Sequence, residues 1–221
     1  MAPVVGVVVF PGTNCEHDAV AALDGLGADA RLVFHTEVSL AGLDAVVLPG
    51  GFAHGDYLRP GALARFSPIM EHVSSFAAEG GPVVGICNGF QVLCEAHLLP
   101  GALQKNAGLR FVCTTTTLEV VSTRSVLTRD ATVGERLEVP INHFSGSYTC
   151  SIETLRELRD QDRIVLRYVE NPNGSIDDIA GISNEAGNVV GLMPHPERAS
   201  SMLLGSADGV VLLSSLLSAA A

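Results

Sequence analysis

Gly85-Ile86-Cys87-Asn88-Gly89 places one cysteine between an apolar run, Val83 to Ile86, and a segment of helical composition running from Asn88 to about His97. This is the thiol counterpart of the G-x-S-x-G nucleophile elbow, a tight strand-to-helix turn that needs small residues around a strained nucleophile. The unpaired N–H groups and dipole of the helix N-terminus favour a thiolate at Cys87. The backbone N–H of Asn88 points to the same place and suits an oxyanion. The pentapeptide would equally suit a small buried cysteine in a glycine-rich turn, so it needs partners elsewhere in the chain.

A thiol nucleophile requires a base and a group that orients the base. Met193-Pro194-His195-Pro196-Glu197 supplies both, directly after the apolar run Val189 to Leu192. Pro196 biases His195 toward extended backbone, in which side chains at i and i+2 share a side. Glu197 is thereby placed to accept a hydrogen bond from one ring nitrogen and leave the other for the thiol. A third element, Gly50-Gly51, follows Leu48-Pro49. Paired glycines let backbone approach a ligand and aim an N–H at a developing negative charge, although Gly-Gly alone also marks an ordinary turn.

These segments must be brought together by a scaffold. Short β-branched runs alternate with longer Ala/Leu-rich segments, which predicts an α/β fold with a largely parallel central sheet flanked by helices. Strands are predicted at Val4 to Phe10, Arg31 to Phe34, Ala45 to Leu48, Val83 to Ile86, Ile164 to Val169 and Val189 to Leu192. Helices are predicted over Cys15 to Leu26, Leu63 to Ala78, Ser151 to Arg159 and Gly209 to Leu217, the last capped by Asp208. Phe111 to Val121 has high β propensity, and Val126 to Val139 is too polar for a core helix. Both read as extra strands and loops on one edge of the sheet. With no repeat or Pro/Ser-rich linker, residues 1–221 read as one domain. Sites in such folds gather at the C-terminal ends of parallel strands.

Of the 221 residues, 47% are hydrophobic and 17% charged, which excludes a disordered chain. Thirteen basic against 24 acidic residues leave a net charge of −11, poorly suited to nucleic acid or an anionic membrane. No run reaches the length of a membrane span, and Val4 to Phe10 lacks the basic lead of a signal peptide. The five cysteines form no C-x-x-C pair and no zinc spacing, so reduced thiols in a cytoplasmic protein without a metal are expected. Cys15, Cys94, Cys113 and Cys150 read as small core or surface residues. His17, His35, His72 and His97 read as surface positions, and Asp177-Asp178 as a solvated turn. Arg59 and Arg198 fit either structural ion pairs or partner contacts.

The cysteine elbow with a distant His-Pro-Glu resembles the triad of class I glutamine amidotransferases. Longer strings are similar to those of one branch, the glutaminase subunits of phosphoribosylformylglycinamidine synthase. They are Phe10-Pro11-Gly12-Thr13-Asn14-Cys15, Gly55-Asp56-Tyr57-Leu58-Arg59-Pro60-Gly61-Ala62, Asn171-Pro172-Asn173-Gly174-Ser175 and Met193 to Ala199. The resemblance implies Cys87 as nucleophile, His195 as general base and acid, and Glu197 as its orienting carboxylate. It implies Gly51, on the loop begun by Gly50, and Asn88, in the elbow, as oxyanion donors, and Gln91 as a contact to substrate glutamine. It further implies no cofactor in this chain. The released ammonia would pass to an ATP- and Mg-dependent large subunit, PurL, assisted by the small subunit PurS, which amidinates formylglycinamide ribonucleotide in purine biosynthesis.

Two segments depart from that pattern. Ala53-His54 stands where Ser-Tyr is expected, and His143-Phe144-Ser145-Gly146 where His-Gly-Glu-Gly is expected, which loses a carboxylate. A stand-alone cysteine amidohydrolase or peptidase would use the same triad. A non-catalytic nucleotide-binding module is disfavoured, because neither G-x-G-x-x-G after the first strand nor a P-loop occurs.

Overall fold

Four continuous apolar runs build the centre of the molecule. They are β1 (Val4–Val9), β3 (Ala45–Leu48), β4 (Val83–Ile86) and β11 (Val189–Leu192), the last three buried at every residue. A strand with no polar face must be covered on both sides, and helices cover these. The computed structural model describes residues 2–221. Its remaining strands are β2 (Asp29–Phe34), β5 (Ala102–Gln104), β6 (Val112–Val120), β7 (Arg136–His143), β8 (Ser147–Thr149), β9 (Ile164–Tyr168) and β10 (Ile179–Ser183). The α-helices are α1 (Glu16–Gly25), α2 (Pro68–Ala78), α3 (Asn88–Glu95), α4 (Ile152–Asp160) and α5 (Gly209–Ala220).

The main sheet is nine-stranded in the order β2-β1-β3-β4-β11-β10-β9-β6-β7. Pairing is parallel from β2 through β11 and antiparallel from β11 through β7. The expected extra strands therefore extend one edge of a parallel half that carries the site. Because β3, β4 and β11 are neighbours in the same direction, the segments leaving them, Gly50-Gly51, Cys87 and His195, emerge side by side at one edge. A second sheet pairs β5 with β8. No helix among the described residues is long and apolar enough to cross a membrane.

Several sequence expectations are corrected. The helix expected over Leu63 to Ala78 is broken into a 3-10 turn, Ala64–Phe66, and α2. Ser67 is extended (φ −66°, ψ 141°) because Pro68 at the first helical position excludes it from the helix. Asp208 does not cap α5; its Oδ2 accepts the Glu138 N–H at 2.7 Å and ties the helix to β7. β10, entirely buried, has no counterpart among the expected strands, because Ile179-Ala180-Gly181-Ile182-Ser183 interrupts its two isoleucines with small residues and shows no continuous β-branched run. β7 runs on to His143 and so delivers that ring to the site edge. Asp177 is no solvated turn: it pairs with both Arg159 and Arg167, joining α4 and β9.

Candidate active site

The elbow is built as its glycines require. Cys87 has φ 52° and ψ −104° at the junction of β4 and α3, a conformation that costs on the order of 1–3 kcal/mol for a residue with a side chain. Close packing around it accounts for the flanking glycines. A Cβ on Gly85 would lie 2.6 Å from the Gly89 carbonyl carbon, and one on Gly89 would lie 1.9 Å from the Leu48 carbonyl oxygen. The turn is pinned by the Cys87 N–H donating to the Leu192 carbonyl at 2.8 Å, which ties the elbow to β11.

His195 and Glu197 are adjacent, but not by the route expected. His195 is near-extended (φ −106°, ψ 84°), whereas Glu197 lies in a 3-10 turn, Pro196–Ala199, that folds its carboxylate back. The contact is short: His195 Nδ1 to Glu197 Oε1 is 2.6 Å, with both side chains buried. Nε2 of His195 has no partner among the described residues, although it is sealed from solvent. Burial by itself would lower the His195 pKa. The Glu197 carboxylate and the Cys87 sulfur outweigh it and raise the ring well above the ordinary histidine value, which favours an imidazolium at this position.

Gly50 and Gly51 lie against this pair. The Gly50 carbonyl accepts the N–H groups of Asn14 and Cys15 at 3.4 and 3.2 Å. Gly51 has φ 149°, and a Cβ there would meet backbone of Thr13 and Asn14 at 2.7 Å. The N–H groups of Gly51 and Asn88 make no hydrogen bond among the described residues. Both remain available as donors.

Gln91 lines a cavity of about 830 Å³ together with Cys87 and His195. The Asn88 side chain accepts the Ala53 N–H at 2.9 Å and donates to Asp56 Oδ1 at 3.1 Å and Gln91 Oε1 at 2.8 Å. Gln91 donates to the Ser145 carbonyl at 2.5 Å. Of the two departures from the family pattern, His143-Phe144-Ser145 lines the cavity, whereas Ala53 is held by Asn88 outside its lining. His143 is buried, and burial together with nearby His195 pushes it down to about 4, so the ring is neutral at pH 7. Asn173 Nδ2 lies 3.0 Å from His143 Nε2 and donates to the Gly146 carbonyl at 2.9 Å. The Asn171 to Ser175 string is therefore a brace behind the cavity wall.

Other residues are resolved more plainly. Arg59 forms a bidentate pair with Glu95 at 2.5 and 2.6 Å, and Arg198 pairs with Asp18 at 3.0 Å. His35 is only half-buried and packs edge-on against His54, their centroids 5.6 Å apart, rather than standing free in solvent. Cys15, read from the sequence as a small core or surface residue, lines the cavity, and the Phe10 to Cys15 string that it closes is the signal for it. It receives a hydrogen bond from Arg198 at 3.3 Å and offers its sulfur within 4.8 Å of ligand atoms of His195 and Glu197. That is the one such His/Cys/acid group among the described residues. It adds a thiol to a histidine–carboxylate pair that is already hydrogen-bonded internally.

The chain is similar to known proteins along nearly its whole length. A family model described as a CobB/CobQ-like glutamine amidotransferase domain matches residues 2–207. Phosphoribosylformylglycinamidine synthase subunit PurQ from Rubrobacter xylanophilus is 56% identical over 98% of both chains. The subunit of the same name from Parasynechococcus marenigrum is 55% identical over 97% of this chain and 99% of its own. A chain in the structure of PurLQS from Thermotoga maritima superposes with a TM-score of 0.91 at 42% identity, covering 99% of both chains. A putative GMP synthase protein from Thermoplasma acidophilum shares the fold alone, at 16% identity and a TM-score of 0.68 over 100% of this chain and 94% of its own.

Proposed function

Because the chain belongs to the CobB/CobQ-like glutamine amidotransferase family, and within it to the PurQ subunits of phosphoribosylformylglycinamidine synthase, we propose that Cys87, His195 and Glu197 carry its glutaminase reaction. The observation that supports this most directly is a strained cysteine beside a buried imidazole whose far nitrogen is held by a carboxylate at 2.6 Å. The Cys87 thiolate attacks the side-chain amide carbon of glutamine. The oxyanion forms between the free N–H groups of Gly51 and Asn88, each such donor contributing roughly 2.7–4 kcal/mol in the transition state. The His195 imidazolium gives its proton to the departing ammonia, leaving a γ-glutamyl thioester. The neutral ring then takes a proton from water, hydroxide attacks the thioester, and glutamate leaves with Cys87 restored. Glu197 holds the ring and stabilises its cation throughout.

The ammonia goes to a synthetase subunit of the PurL type, with PurS completing the assembly, for ATP-dependent amidination of formylglycinamide ribonucleotide. The known three-component assembly from Thermotoga maritima supports these partners. This chain needs no cofactor of its own; ATP and Mg belong to the synthetase. The phosphorylated substrate and ATP put the reaction in the cytoplasm. Replacing Cys87 by serine tests the assignment in the reconstituted complex. Glutamine-dependent synthesis should vanish while ammonia-dependent synthesis persists; loss of both would make Cys87 a structural residue instead.

A further inference from the structure

We infer that the carboxylate of Asp56 recognises the α-ammonium group of the substrate, restricting this site to glutamine with a free amino terminus. The inference rests on the glutaminase reading above and adds a specificity determinant to it.

The charged groups lining the cavity are Asp56, Arg59, Lys105 and Arg198, with the imidazoles of His143 and His195. Asp56 is the only acidic side chain among them. The two arginines are occupied, Arg59 by Glu95 and Arg198 by Asp18 and the Cys15 sulfur. Asp56 commits one oxygen, Oδ1, to the amide of Asn88, and its Oδ2 accepts no hydrogen bond among the described residues. No cation pairs with it there either, although it is partly buried.

Its position is also held against strain. His54, Gly55 and Asp56 all have left-handed backbone, with φ of 54°, 67° and 53°. Asn88 clamps this turn from both sides, taking the Ala53 N–H on its oxygen and giving its amide to Asp56. The anion is therefore held by the residue that follows Cys87 in the chain, and both Asp56 and Cys87 line the same cavity. Glutamine carries its amine at the opposite end of the molecule from its reactive amide, so a substrate amide at Cys87 leaves the amine to be met by another group lining the same cavity. Burial without a counter-ion pushes the Asp56 carboxyl up to about 6. An arriving ammonium relieves that cost, whereas an N-acylated glutamine or a peptide glutamine leaves the carboxylate desolvated and unpaired. A site built around a charged group rejects analogues that lack it far more strongly than a purely apolar pocket does.

The test compares L-glutamine, Nα-acetyl-L-glutamine and 4-carbamoylbutanoate, which keeps the amide and carboxylate but has no amine, as substrates of the reconstituted complex. The unaltered enzyme should favour L-glutamine over both analogues in kcat/KM by tenfold or more. In Asp56→Asn, which keeps an oxygen for Asn88, KM for L-glutamine should rise about tenfold, kcat should change less, and the preference over the analogues should collapse. Equal loss toward all three substrates would overturn the inference and make Asp56 a support for Asn88 alone. Indifference of the unaltered enzyme to the missing amine overturns it without any variant. An absence of ammonia release from L-glutamine by the unaltered complex would instead overturn the glutaminase reading itself.

Discussion

Gly50 leaves room for His195: a Cβ on this glycine would stand 2.7 Å from the imidazole Cε1, 3.1 Å from the Cys15 sulfur and 3.4 Å from the Cys87 Cβ. The absent side chain is what lets base and nucleophile close on each other. Gly50→Ala should therefore displace the His195 ring and lower glutaminase kcat on the order of a hundredfold, since a misplacement of about 1 Å is enough for that. Gly25→Ala is the control. Nothing lies within 4 Å of its Cβ position at the end of α1, so activity should persist and stability rise by about 0.5–1 kcal/mol. Steady-state ammonia release and thermal unfolding of the two variants make the comparison.

Glu197→Gln should cost less turnover than His195→Ala, because an amide can still hold the ring while stabilising its cation poorly. It should also move the pH profile. With the carboxylate gone, burial dominates and the His195 pKa falls, so the alkaline limb of kcat/KM shifts toward lower pH. A limb that stays in place would remove Glu197 from its assigned role.

His143 sets a pH dependence of stability that can be measured separately. Its folded pKa lies near 4, below the ordinary 6.5, so the unfolded chain binds the extra proton between these values. The stabilisation is complete above about pH 6.5 and is lost as pH falls through 4, amounting to about 3 kcal/mol. Asp56, raised to about 6, opposes this over part of the window. Wild type and His143→Gln share that opposing contribution, so their difference in acid sensitivity isolates His143. Urea unfolding at pH 7 and pH 4 should show a smaller acid loss in the variant. His195 acts in the other direction: its raised pKa contributes stability below about pH 6.5 that disappears as pH rises through the folded value.

The loop from Gly51 to Gly61 should respond to docking. It carries the left-handed run at 54–56 together with Leu58 (φ 70°); Phe52, Tyr57 and Leu58 are exposed, and Phe52 and Leu58 also line the cavity. The isolated chain is expected to be a slow glutaminase whose kcat rises when the synthetase subunit binds and orders the Gly51 and Asn88 donors. Amide exchange in this loop should slow on docking. Full turnover by the isolated chain at saturating glutamine would count against such gating.

The parts of this protein that were legible in the sequence are those whose cause is local. β3, β4 and β11 announce themselves because a strand covered on both faces has no polar side to interrupt its apolar run. The elbow is readable because the strain at Cys87 admits only small neighbours, and Pro196 with Glu197 marks the base because the residues that orient it lie within one turn of chain. What only the tertiary structure decided are encounters between residues distant in sequence. Cys15 reaches His195 across the sheet edge, Asp56 meets Asn88, and Asn173 braces His143, each pair separated by 30 residues or more. No hydrophobic period or turn preference encodes such pairs. They follow from β1, β3, β4 and β11 lying in one order, which is set by how buried faces share a common core and not by any one segment.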